Sequence, residues 1–291
     1  MHPDPPIDRS MPDVTVKRQR LLDRLRQFDS CAVAFSGGVD SAVVAQAAFL
    51  AMGERAVAVT AVSPSLAEGE LDNARQVVGQ IGIRHETIET GELANPAYVA
   101  NPPDRCYHCK TELYDQLDKL CNRLGLAVIV NGANADDLSD YRPGQRAAGQ
   151  HGVISPLAEN GLSKVEVRQL AAEWGLAVWD KPAAPCLSSR IAYGEEVTPQ
   201  RLAMIDAAEQ FLREAGLGEV RVRYHQGDLA RLEVPLDQLP QLSGGEFRAR
   251  LVARLRELGF RYVALDLEGF RSGSQNLVLP IEMVQAGVLR R

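Results

Sequence analysis

Apolar residues along this chain fall into two patterns that alternate. Cys31–Phe35, Ala56–Val62 and Ala127–Val130 are continuous apolar runs of strand length, the pattern of strands covered on both faces. Between them the spacing turns helical. Val14, Leu21, Leu22, Leu25 and Phe28 predict a helix over 14–28. Residues 42–49 predict a second, 66–81 a charged third, and 164–174 another that stops at Gly175. Buried strands alternating with helices predict an α/β fold with a parallel sheet. Such sheets bind ligands at the carboxyl ends of their strands, where Ser36, Thr60 and Asn131 fall.

The pattern changes after the proline-bounded stretch Lys181–Pro185. A helix is predicted over 199–215. Two alternating segments, 219–224 and 229–234, flank Gln226-Gly227-Asp228 and predict a hairpin. Its polar face would carry Arg221, Arg223, and Glu233 or Arg231, either as a ligand-binding surface or as a solvated face. A helix over 246–258 and a strand over 262–267 complete a small α+β unit. The expected division is therefore 1–185, a parallel-sheet domain, and 186–291, a smaller α+β domain. No internal repeat is evident.

Composition narrows the classes. The 291 residues are 45% hydrophobic and 24% charged, as in a globular protein with a sizeable core. No apolar run could span a bilayer and no signal peptide is seen, so a cytoplasmic location without membrane contact is expected. The 32 basic and 38 acidic residues leave a net charge of −6, and neither half has the basic excess of a nucleic-acid binder. A small-molecule substrate fits this balance. The five cysteines are an odd set that argues against a disulfide framework, and Cys31 and Cys121 read as core residues.

Four clusters carry candidate chemistry. Ser36-Gly37-Gly38-Val39-Asp40-Ser41 lies between an apolar strand and a helix. Its glycines admit an oxyanion, its hydroxyls and helix-start N–H groups bind one, and Asp40 calls for a metal between it and a phosphate. The spacing is neither that of a Walker loop nor that of a dinucleotide fingerprint. The second cluster, Asn131–Asp137, puts Asp136 and Asp137 at a strand end, suited to Mg²⁺, to a nucleotide or to a capped turn. Arg142 follows in the same loop, suited to an anion. The third is Cys106-Tyr107-His108-Cys109, flanked by Arg105 and Lys110, which would favour thiolates. It suits a metal or cluster, two ordinary helix cysteines, or a strained zinc site with Cys186 and His108. The fourth, Cys186-Leu187-Ser188-Ser189-Arg190, lies at the domain junction, with hydroxyls and a cation behind a thiol of reactive or metal-binding character.

The first cluster resembles the PP-loop of ATP pyrophosphatases. Together with 103–110, 132–137, 181–190 and 265–276 (LDLEGFRSGSQN), it makes nearly the whole chain similar to the LarE family of ATP-dependent sulfur transferases. The resemblance implies a PP-loop domain followed by a smaller one. It implies ATP and Mg²⁺ held by Ser36, Gly37, Gly38, Asp40, Ser41, Thr60, Asp136 and Asp137. The implied substrate is pyridinium-3,5-biscarboxylic acid mononucleotide. Its carboxylate would attack the ATP α-phosphate, and sulfur would then displace AMP to leave a thiocarboxylate, a product of nickel-pincer nucleotide synthesis.

The resemblance also implies two sources of sulfur. Some family members sacrifice the cysteine matching Cys186; others hold a [4Fe-4S] cluster on three cysteines matching Cys106, Cys109 and Cys186. All three are present here, which favours the cluster. Arg142, Ser188, Arg190, Arg221 and Arg223 are the expected substrate contacts, and Glu209 and Glu233 a further metal pair. Arg271, Ser272 and Ser274 match a motif whose role is open. A homo-oligomer is expected. The competing readings are a PP-loop tRNA thiolase, an amide-forming synthetase and a non-catalytic ATP-binding regulator.

Overall fold

The computed structural model describes residues 13–139, 143–271 and 274. The first sheet is parallel, in the order β3-β2-β1-β4, built from β1 Cys31–Ala34, β2 Ala56–Val62, β3 Arg84–Glu89 and β4 Val128–Val130. The three apolar runs form its interior and one edge. β3, with the sequence RHETIE, has no apolar run to announce it. It is an edge strand whose residues are largely exposed or half-buried, so burial places few demands on its side chains.

Helices cover both faces. On one side α1 Val14–Arg26, α2 Val39–Met52 and α3 Glu70–Ile81 share a core with the strands. Most of α2 is buried, which explains an apolar sequence without amphipathic period. α3 starts later than its spacing predicts, because Gly69 takes φ +81° and residues 63–69 turn before the helix begins.

The short α4 Pro96–Val99 leads to α5 Arg105–Leu124, whose apolar stripe packs on the opposite face of the sheet beside α6 Pro143–Gln150. α7 Pro156–Glu159 and α8 Lys164–Glu173 return to the α1 side. There Lys17 of α1, 3% exposed, bonds Glu166 at 2.7 Å and the Gly161 carbonyl at 2.7 Å, and Glu166 closes a capping box with Ser163.

The second sheet has the order β5-β6-β7: β5 Arg221–His225 and β6 Leu229–Glu233 form the expected antiparallel hairpin, and β7 Tyr262–Leu265 pairs parallel to β6. α9 Pro199–Glu214, α10 Leu239–Ser243 and α11 Gly245–Glu257 pack against it. This second core also takes Tyr98 of α4 and Leu187 and Ile191 of the junction. The two sheets are thus joined through packed side chains. Among the described residues, no helix is long and apolar enough to cross a membrane.

Candidate functional site

The Ser36–Ser41 loop crosses from β1 into α2 with Gly38 as N-cap. Gly37 takes φ +73°, and a Cβ there would lie 3.2 Å from the Ala74 Cα, so position 37 is reserved for glycine twice over. Ser41 Oγ accepts the Ser36 N–H at 3.2 Å, donates to the Gly38 carbonyl at 3.0 Å and touches Ser36 Oγ at 3.3 Å. The hydroxyls brace a turn that leaves the first N–H groups of α2 for an anion.

The Asn131–Asp137 loop comes against this turn. A Cβ on Gly132 would fall 2.8 Å from the Ser41 nitrogen and 3.0 Å from the Asp40 carbonyl carbon. Gly132→Ala is therefore expected to push the end of β4 off the start of α2. It should lower stability by about 1–3 kcal/mol and weaken ATP binding at least tenfold. Thermal unfolding and nucleotide titration check both.

Asp40 accepts from Asn134 Nδ2 at 3.0 Å and pairs with the Lys164 ammonium in a very short contact. Asn134 in turn donates its N–H to Asp137 at 3.0 Å and accepts the Asp136 N–H at 2.9 Å. Asp136 accepts the Lys164 backbone N–H at 2.8 Å. Asp40, Asp136 and Asp137 thus share one network, in which Lys164 is a cation. Lys164 escaped the sequence reading, because it is separated from Asp40 by 124 positions and opens an otherwise ordinary helix. Among the described residues, no three His, Cys, Asp or Glu side chains form a group able to hold a metal ion. Mg²⁺ on a nucleotide needs no such group, since phosphate oxygens and water fill most of its octahedron.

Thr60 falls short of this network. It is 3% exposed and its hydroxyl meets His85 Nε2 at 2.9 Å across β2 and β3. Arg142 lies outside the described residues.

The cysteines divide by environment. Burial pushes the Cys31 thiol up to about 12 and the Cys121 thiol up to about 11, as expected of core cysteines. Cys106 and Cys186 are exposed and Cys109 is half-buried. Cys106 and Cys109 occupy the first turn of α5, three positions apart and so on one face. Lys110 beside them was expected to favour thiolates. For Cys109 burial wins instead, pushing its thiol up to about 12 despite the opposing pull of Lys110.

Cys186 precedes a short 3₁₀ turn, Leu187–Arg190, that is tied down on several sides. The Leu187 N–H donates to the Ser65 carbonyl at 2.9 Å. Ser188 Oγ meets the Tyr98 hydroxyl at 2.6 Å, and the Ser188 carbonyl accepts from Arg105 at 2.7 Å. Arg190 donates to the carbonyls of Pro185 and Cys186 and pairs with Glu209 at 3.0 Å. Ser188 and Arg190, both expected at the substrate, are here 0% and 3% exposed and brace the turn that carries Cys186. The same ties hold the Cys186 turn against the start of α5, the helix that carries Cys106 and Cys109. α6 opens between this region and the acidic loop: Gln145 donates to the Asp137 carbonyl at 2.7 Å, and Gly144 packs over the Lys110 stem.

The hairpin face is not solvated. Arg223, 5% exposed, donates to Glu233 at 2.8 Å, the Ser189 carbonyl at 3.0 Å and Ser274 at 3.1 Å. Ser274 also donates to Glu233 at 2.9 Å, so this member of the C-terminal motif closes the buried network. Ser272 lies outside the described residues. Arg271 pairs with Glu268 at 2.7 Å. Arg221 reaches the Ala183 carbonyl at 3.1 Å and lies over the Phe270 ring, and burial pulls its guanidinium down, with Arg190 adding to the effect. Glu209 and Glu233 are both fully buried. Glu209 serves Arg190, Arg213 and the Val222 N–H; Glu233 serves Arg223, Arg231 and Ser274. In this arrangement both carboxylates neutralise arginines, which is a different duty from the metal pair expected of them.

Residues 19–104 match the NAD synthase family model. An uncharacterised protein of Synechocystis sp. is 50% identical over 262 residues, which is 89% of this chain and 97% of that protein. The pyridinium-3,5-bisthiocarboxylic acid mononucleotide synthase of Lactiplantibacillus plantarum is 36% identical over 91% of this chain and 96% of its own length. An uncharacterised protein of Methanocaldococcus jannaschii is 28% identical over 82% of this chain and 90% of its own.

Proposed function

The chain belongs to the LarE family of ATP-dependent sulfurtransferases, and from that premise we propose that it converts the carboxylates of pyridinium-3,5-biscarboxylic acid mononucleotide to thiocarboxylates through an acyl-adenylate. The observation that carries this reading is the joining of two chemistries in one fold. A phosphate-binding turn with Asp40 stands at the end of a parallel sheet. The turn that carries Cys186 is bonded to the start of the helix that carries Cys106 and Cys109.

In this reading a substrate carboxylate oxygen attacks the ATP α-phosphorus, the bond to the bridging oxygen breaks, and pyrophosphate leaves. Ser36, Ser41 and the N–H groups of α2 bind the phosphates, and Lys164 moves its charge from Asp40 onto them. Asp40, with Asp136 or Asp137, would lend carboxylate oxygen to a nucleotide-bound Mg²⁺ held otherwise by phosphate oxygens and water, and the metal would neutralise the departing charge. A sulfur nucleophile then attacks the activated carbonyl carbon, and AMP leaves with the former carboxylate oxygen.

The source of the sulfur turns on the cysteines. Two cysteines at the start of α5 and one on the turn bonded to it supply the three thiolates of a [4Fe-4S] cluster with one open iron, each thiolate taking a different iron. Cys106, Cys109 and Cys186 would hold it, leaving one iron free to carry the sulfide for transfer. The exposure of Cys186 also suits the second reading, in which its own sulfur is spent and dehydroalanine remains.

The test combines assay and metal content. Anaerobically reconstituted protein with ATP, Mg²⁺ and the dicarboxylate nucleotide should release pyrophosphate and yield the thiocarboxylate by mass spectrometry. About four irons per chain are expected, lost in a Cys106→Ser/Cys109→Ser variant. No iron, with the variant still yielding one sulfur per chain, would establish Cys186 as a single-use donor. No pyrophosphate with this substrate would overturn the reading.

A further inference from the structure

Arg105 immediately precedes Cys106 and is 5% exposed. Both of its hydrogen bonds leave from Nη1, to Asn101 Oδ1 at 2.6 Å and to the Ser188 carbonyl at 2.7 Å. Neither acceptor is charged. Among the described residues no carboxylate pairs with this guanidinium. The other deeply buried arginines of this region differ: Arg190 has Glu209 and Arg223 has Glu233. A buried cation without an anion is costly, so a fold that keeps one has an anion for it to meet. The titratable groups close enough to Arg105 to feel its charge are Cys186, Cys106, Tyr98 and Tyr193.

Arg105 also belongs to a clasp. Its partner Asn101 is wholly buried, takes φ +51°, and donates from Nδ2 to the Ile191 and Ala192 carbonyls at 3.2 and 2.8 Å. Tyr98 holds the Ser188 hydroxyl. Residues 98–105 therefore grip the turn after Cys186 near both of its ends, and Arg105 is the charged member of that grip.

We propose that Arg105 is a positioning residue and the counter-cation of the sulfur site: it holds the Cys186 turn against the start of α5 and presents its charge to anionic sulfur on Cys186 and Cys106. The chemical class of its anion is a thiolate, a persulfide or a sulfide carried there. This inference rests on the sulfur-transfer reading for its purpose, but it can be tested without turnover.

The experiment uses the full-length reduced protein, free of metal and nucleotide, at one pH. Modification rates of Cys186 and Cys106 are followed by peptide mass spectrometry with two disulfides, the dianionic 5,5′-dithiobis(2-nitrobenzoate) and the neutral 4,4′-dithiodipyridine. The ratio of the two rates cancels each thiol's own ionisation and reads the local charge. Arg105→Met is expected to lower the anionic-to-neutral ratio at Cys186 about tenfold, and Arg105→Lys to restore it to within about twofold. Tyr98→Phe, which breaks the clasp and keeps the charge, should leave the ratio unchanged. If Arg105→Met does not fold, Arg105→Gln, which retains a donor for Ser188, takes its place. Equal ratios in wild type and the neutral variant would overturn the proposal. Since neither ATP nor substrate is present, a failure of sulfur transfer leaves this result intact. A failure here leaves the adenylation chemistry untouched.

Discussion

Cys186→Ser is expected to abolish thiocarboxylate formation, by about 10³-fold or more, while pyrophosphate release from ATP and the dicarboxylate nucleotide continues. Loss of a nucleophile or its carrier acts on this scale. A serine oxygen cannot supply sulfur and is a poor ligand for iron, so both sources of sulfur fail together. The fold should not suffer. Cys186 is exposed, and the turn after it is held by its backbone, by Ser188 and by Arg190. In the proposed reading adenylation belongs to the Ser36–Ser41 turn and the acidic loop, not to the Cys186 turn. The measurement is a paired assay of pyrophosphate and of thiocarboxylate on one sample. Thiocarboxylate made at the wild-type rate would remove Cys186 from the chemistry. Loss of both products together would mean that Cys186 acts in ATP cleavage or in shaping the whole site.

The second large effect is expected at the phosphate end. Asp40→Asn should lower pyrophosphate release about 10²–10³-fold, the range for removing one preorganised group that stabilises transition-state charge. The amide has the size of the carboxylate and can still meet Asn134, but it can neither hold Mg²⁺ nor balance Lys164. Asp40 and Lys164 are 24% and 35% exposed at their side chains, so the pair adds little to folding. Thermal unfolding should move only slightly. The check is the Mg²⁺ dependence of pyrophosphate release. Wild-type release with an unchanged Mg²⁺ requirement would place the metal elsewhere, with Asp136 and Asp137 the next groups to replace.

The parallel sheet was legible because its inner strands are covered on both faces, and only apolar residues tolerate that. The hairpin was legible because Gly227 and Asp228 accept the left-handed conformations its turn demands, at φ +77° and +56°. β3 was not, since an edge strand with exposed side chains has no reason to be apolar. The phosphate turn could be read from six adjacent residues because its chemistry lies in backbone N–H groups, glycine freedom and two hydroxyls, all of them local properties.

Charge pairing could not be read in this way. Ser188 and Arg190 were legible behind Cys186, Arg223 and Glu233 on the polar face of the hairpin, and Glu209 only through the resemblance to the LarE family. Their duty depends on which oppositely charged group lies opposite when the second sheet packs against α4 and the Cys186 turn. Burial decides it: a guanidinium removed from water must find an acceptor, and the carboxylates nearest at hand are those of Glu209 and Glu233. Lys164 went unassigned for the same reason, its partner being remote in sequence, and Arg105 was read only as a cation beside the cysteines, because the Ser188 carbonyl it bonds is 83 positions away. The sequence by itself thus determined the alternation of buried strands and helices in the parallel sheet and the glycine turn that follows β1, because short-range backbone and side-chain chemistry specifies both, whereas the three cysteines as a set came from the resemblance to the LarE family. Only the tertiary structure decided which polar groups neutralise one another and which cation is left to face the cysteines, because that balance is struck between residues that meet only when the two sheets close on the turn between them.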